Sequence, residues 1–139
     1  MKRLVLGVIA LFSLGTIAAV SQTVSTGQGT FGSFRLDTGT KTAAATAGAA
    51  TLNKASGKVT SEALTTAAGA TYTLTVTNSA VAAADIALAS VAFGTSTTGT
   101  PTISRVTPGA GSLVIIVRNA DASAAFNGTV VVSYAVLKN

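Results

Sequence analysis

The sequence predicts an all-β fold, a small antiparallel β-sandwich or jelly-roll-like domain over residues 49–139, behind an N-terminal hydrophobic leader and an extended arm. Three observations predict it. In Thr71-Tyr-Thr-Leu-Thr-Val-Thr-Asn78, threonine alternates with Tyr72, Leu74 and Val76 at a strict period of two. One face of such a strand is apolar and the other is a ladder of hydroxyls. Turn signals recur at short spacing between apolar runs, as in sandwiches and barrels. No segment carries the period of an amphipathic helix.

Taken in order, Met1-Lys2-Arg3 precedes the uncharged run Leu4–Val20, which exits through Ala19-Val20-Ser21. A basic start, an apolar run and a small-residue exit describe a secretory signal peptide over residues 1–21. An uncleaved membrane anchor is the alternative. Residues 22–48 are rich in Ser, Thr, Gly and Ala, with Phe31, Phe34 and Leu36 as their only large apolar groups. They read as a flexible or extended arm, with Thr38 to Gly48 as a loose connection. Phe31 and Phe34 are its candidates for packing onto a sister subunit.

The domain is expected to start near Ala49. Asn53-Lys-Ala-Ser-Gly57 lies between two short β-prone pieces and reads as a hairpin. After the Thr71–Asn78 strand, Ile86, Leu88 and Val91 mark another, ending at Phe93. Gly94–Pro101 is an exposed loop, and Thr102–Thr107 is a strand closed by Pro108-Gly-Ala-Gly111. Leu113-Val-Ile-Ile-Val117 is a continuous apolar run, as in a strand covered on both faces. Asn119–Asn127 is a long loop. Thr129–Leu137 places Val130, Val132, Tyr134 and Val136 on one face. Its second face holds Val131, Ala135 and Leu137, too apolar for plain solvent, and predicts a subunit interface. Cover by the chain's own arm is the other reading.

Composition removes whole classes of chemistry. The chain has no His, Cys or Trp, and four carboxylates: Asp37, Glu62, Asp85 and Asp121. Imidazole and thiolate metal sites and disulfides cannot be built, and the commonest general base is missing. No serine precedes a lysine in a Ser-x-x-Lys spacing, so a serine nucleophile lacks its alternative base. Gly109-Ala-Gly111 precedes a strand instead of a helix, so it reads as a turn and not a dinucleotide loop. Asn127-Gly-Thr129 fits a glycosylation acceptor and is already explained as a turn. Glu62 and Asp85, the two mid-domain acids, read as solvated surface groups. No catalytic, cofactor or metal site is expected.

The formal charge is +5, from nine basic and four acidic residues. The basic residues beyond Lys2 and Arg3 are dispersed, without the clustering and interleaved aromatics that nucleic acid needs. Alanine (27) and threonine (23) dominate, and such short side chains each bury little area. A modest core of this kind gains from burial against sister subunits.

Thr51–Asn78, Gly109–Asn119 and Ala124–Thr129 with the closing strand resemble stretches of small virion structural proteins of tailed bacteriophages. The resemblance covers residues 49–139. It implies a non-enzymatic particle component, a capsid-decorating or head-fibre-like protein that is trimeric and located in the virion. The leader departs from that pattern, because a shell assembled in the cytoplasm needs no export signal. The alternative is an exported, self-assembling surface-layer or filament subunit whose arm adds a strand to the next copy. A secreted carbohydrate-binding module is disfavoured by the scarcity of aromatics.

Overall fold

The computed structural model of the protein describes residues 42–139. The leader and most of the arm, with Phe31, Phe34, Leu36 and Asp37, lie outside the described residues. Eight strands form, and no helix is present among the described residues. They are β1 (Thr42–Ala44), β2 (Ala49–Thr51), β3 (Ser56–Thr60), β4 (Thr71–Thr77), β5 (Ile86–Phe93), β6 (Pro101–Gly109), β7 (Ser112–Asn119) and β8 (Val130–Leu137). The first sheet has the order β1-β3-β8-β5, and the second β2-β4-β7-β6.

Alternation decides which side chains meet between the sheets. Tyr72, Leu74 and Val76 of β4 and Leu113, Ile115 and Val117 of β7 are buried. They share one core with Val59 of β3 and with Val130, Val132, Tyr134 and Val136 of β8. The threonines between them face outward or half-outward, as the hydroxyl ladder requires. At one end Phe126 is only 2% exposed. Gly99, at φ +86°, leaves room for its ring, since a Cβ there would lie 2.5 Å from the ring edge.

Both sheets are mixed, which corrects the antiparallel expectation. β1 runs parallel to β3, and β2 runs parallel to β4. The first described strand, from Thr42, falls inside the stretch read as a loose connection. The chain forms the edge of the first sheet as β1, turns through Ala45–Gly48, and becomes the edge of the second as β2. Ala47 and Gly48 make that turn with φ of 51° and 74°.

The Asn53–Gly57 hairpin is a second correction. β2 and β3 belong to different sheets, so the segment is a crossover. Its carbonyls are taken by distant groups: Tyr134 Oη donates to Leu52 O (3.0 Å) and Asn78 Nδ2 to Lys54 O (2.7 Å). A glycine-containing gap between β-prone pieces has the same sequence signature in both cases. The β6–β7 turn, by contrast, is a true hairpin, closing from Gly109↔Ser112.

Candidate functional site

The outer face of the first sheet is the most unusual surface of the described residues. β5 and β8 pair antiparallel with Ile86 opposite Leu137, Leu88 opposite Ala135, Ser90 opposite Ser133 and Ala92 opposite Val131. Directly opposed residues share a face, and this face points away from the core. Ile86 and Leu88 are each 57% exposed, and Phe93, on the opposite parity at the strand end across from Val130, is 47% exposed. Val131, Ala135 and Leu137 are half-buried beside them. A shallow groove runs along the junction, over Leu88–Ser90 and Ser133–Ala135.

The pattern of β5 explains this exposure. Its inward positions Ala87, Ala89 and Val91 pack on the core as small or β-branched groups, while its two largest aliphatics face out. An edge strand of a free-standing domain normally reverses that assignment. Towards β3 the face becomes polar, with Lys58 opposite Ser133. Thus Val131, Ala135 and Leu137, singled out in the sequence, do lie together. Ile86 and Leu88 join them, which β8 alone could not reveal. Their own alternation against Ala87 and Ala89 was the available signal. Phe31 and Phe34 cannot be placed, because they lie outside the described residues.

The three described carboxylates are all engaged in holding backbone, which corrects the reading of Glu62 and Asp85 as solvated groups. Glu62 is half-buried and accepts from Gly48 N and from Tyr72 Oη, each at 2.9 Å. Burial, with the hydrogen bond and charge of Glu62, pushes the Tyr72 phenol well above its ordinary value of 10.0. Burial also raises the Tyr134 phenol. Asp85 is buried and meets Lys138 Nζ at 2.7 Å. The same ammonium donates to Ala80 O, and Ala82 N donates to Asp85 (2.7 Å). Those bonds, Lys138 foremost, lower the Asp85 carboxyl below its usual 3.8. Asp121 accepts from Ala124 N (2.8 Å) and Ser123 N (2.9 Å), and is lowered by them.

Asn127 is exposed, yet its side chain is a loop staple. Its Oδ1 accepts from Thr97 N at 2.7 Å and from Thr98 N at 3.2 Å, and its Nδ2 donates to Thr97 Oγ1 at 2.9 Å. Among the described residues, no three His, Cys, Asp or Glu side chains gather in a way that could hold a metal ion. What the surface offers chemically is apolar area next to a strand edge that no other described strand pairs with. Comparisons with protein-family models, with curated proteins and with solved structures each return no match.

Proposed function

We propose that the chain is a non-enzymatic structural subunit that assembles by burying the outer face of β5 and β8 against a neighbouring subunit. The observation that carries this reading is the exposure of Ile86 and Leu88 in register with Leu137 and Ala135. Removing such area from water is favourable at about 25 cal/mol per Å², and a repeated module multiplies weak contacts through multivalency. The engagement of Glu62, Asp85 and Asp121 in backbone contacts supports an inert role. The resemblance in residues 49–139 extends the proposal to a virion component that decorates or cements a phage shell. The path of the chain fits a jelly-roll-like winding, since consecutive strands change sheets at every step except β6–β7. The parallel edges β1 and β2 are its departure from that form.

A second reading, an exported filament or surface-layer subunit, is favoured by the Lys2-Arg3 start and the uncharged Leu4–Val20 run. Intact mass of the protein from its natural assembly separates the two. A start near Gln22 supports export, and a start at Met1 supports assembly in the cytoplasm.

Assembly itself is tested by sedimentation of wild type and Leu88→Lys. The substitution places a charge where it would be desolvated on association. Wild type is expected to sediment as an oligomer, and the variant to keep its circular dichroism but sediment as a smaller species. A wild-type chain that stays monomeric at high concentration and binds no shell overturns the proposal.

A further inference from the structure

The four sheet edges of this domain are not equivalent. Within the described residues β1 and β2 are three residues long each, too short to template a partner. β6 carries Pro101 and Pro108, a register shift between Ile103 and Arg105, and the Arg105 charge. These are the devices by which natural sheets blunt an edge. β5 is eight residues long, pairs with β8 without a register shift, and contains no proline, glycine or charge.

The hydrogen-bonding phase of β5 follows from its continuation. Gly94 N donates to Thr129 O at 2.9 Å, one step beyond the Phe93↔Val130 pair. Bonded pairs alternate along an antiparallel ladder, so Ile86, Leu88, Ser90 and Ala92 spend their NH and CO groups on β8. Those of Ala87, Ala89, Val91 and Phe93 point to the edge, where no other described strand pairs with β5. β6 packs close beside β5 on that side of the domain, but no backbone bond joins it to β5 among the described residues.

Resting on the assembly reading above, we propose that the β5 edge pairs antiparallel with β5 of a second copy about a two-fold axis at Ser90. Two-fold pairing requires a self-complementary strand, and β5 has no charge to repel its own image. A register that opposes like faces must centre on a residue, because a slip by one sends the apolar set to the wrong side. The Ser90 axis places Ala89 opposite Val91 of the partner subunit, Leu88 opposite the partner's Ala92, and Ala87 opposite the partner's Phe93. A larger side chain then meets a smaller one at each of these rungs, and the half-exposed Phe93 gains cover. An axis at Ala89 would leave Phe93 beyond the paired segment. The open-edge groups of Ala87, Ala89, Val91 and Phe93 would all be bonded, and the two apolar outer faces would join into one.

The absence of cysteine in the chain makes single-cysteine crosslinking a direct test on the full-length protein. Ser90 would face its own copy as a non-hydrogen-bonded pair, with Cα atoms about 4.5 Å apart, inside the roughly 4.4–6.8 Å that a disulfide spans. Under mild oxidation Ser90→Cys is expected to double in mass. Leu88→Cys and Ala92→Cys are expected to crosslink when mixed and not when alone. Crosslinking of mixed Leu88→Cys and Ser90→Cys instead would overturn the Ser90 axis. Efficient crosslinking of Ser133→Cys, with none at Ser90, would overturn edge pairing and keep face-to-face assembly. An assembled wild type in which no β5 variant crosslinks also overturns the edge alone. A monomeric wild type with no crosslinking overturns the assembly reading as well.

Discussion

Tyr134 on β8 and Asn78 at the end of β4 meet inside the domain, with Asn78 Nδ2 donating to Tyr134 Oη at 3.2 Å. The contact joins the two sheets through a polar pair, and both residues also hold the 52–54 crossover, through Leu52 O and Lys54 O. Asn78 Oδ1 closes the following turn by accepting from Ala80 N at 3.0 Å. Each polar atom of the pair is used, so it is a satisfied network in a low-dielectric setting.

Asn78→Ala is therefore expected to destabilise the domain by about 2–3 kcal/mol, since it strips partners from buried backbone groups. Tyr134→Phe should cost about 1 kcal/mol, as Lys54 O keeps its bond from Asn78. The double variant should depart from the sum of the two, because both act on one network and both donate to Lys54 O. Urea unfolding of the four proteins measures this. Strict additivity would show that the pair is not coupled.

Acid should loosen the clasp between Asp85 and Lys138. The carboxyl is lowered in the folded state, so the unfolded chain binds its proton more readily, and stability rises with pH through this region. The contribution is complete above the ordinary carboxylate value and is lost as pH falls through the folded one. Asp85→Asn is expected to lower the urea midpoint at neutral pH, with the difference from wild type shrinking towards strongly acidic pH. Asp121, lowered by its turn NH groups, adds to the same acid limb. A difference that stays constant over the whole range would rule the clasp out as an ionic contact.

The Ala45–Gly48 turn gives a third prediction. A Cβ on Gly48 would lie 2.6 Å from Thr73 O, at a φ of +74°. Gly48→Ala should cost at least about 2 kcal/mol, from strain and from a clash with backbone that cannot swing away. Glu62→Gln should be milder, about 1 kcal/mol, and it carries a spectroscopic signature. Burial is the main cause of the raised Tyr72 phenol, and Glu62 is the second. The tyrosinate titration of Tyr72 should move down in Glu62→Gln and still stay above the ordinary range. A phenol raised in the fold contributes stability below about pH 10 that is lost as pH climbs towards the folded value, so the alkaline loss of stability should be smaller in the variant. An unmoved tyrosinate titration would show that Glu62 does not bond Tyr72 in solution.

The sequence by itself determined most of the strands after β1 and the inner faces of β4 and β8. Period-two patterning is a local property, so the β4 run from Thr71, the closing Val130–Val136 set and the Gly109–Gly111 turn were legible without coordinates. The absence of His and Cys fixed what chemistry the chain cannot do. Tertiary structure alone decided which strands pair. The gap between β2 and β3 looks like a hairpin because glycine and asparagine suit a tight turn and a crossover alike. Only the distant partners Asn78 and Tyr134 distinguish the two. The roles of Glu62 and Asp85 were hidden for the same reason, since a carboxylate's burial depends on groups such as Tyr72 and Lys138 that lie far away in the chain. The outer face was half visible. Val131, Ala135 and Leu137 could be read from one strand, but joining them to Ile86 and Leu88 required the β5–β8 register, and a register is a long-range relation that no local pattern encodes.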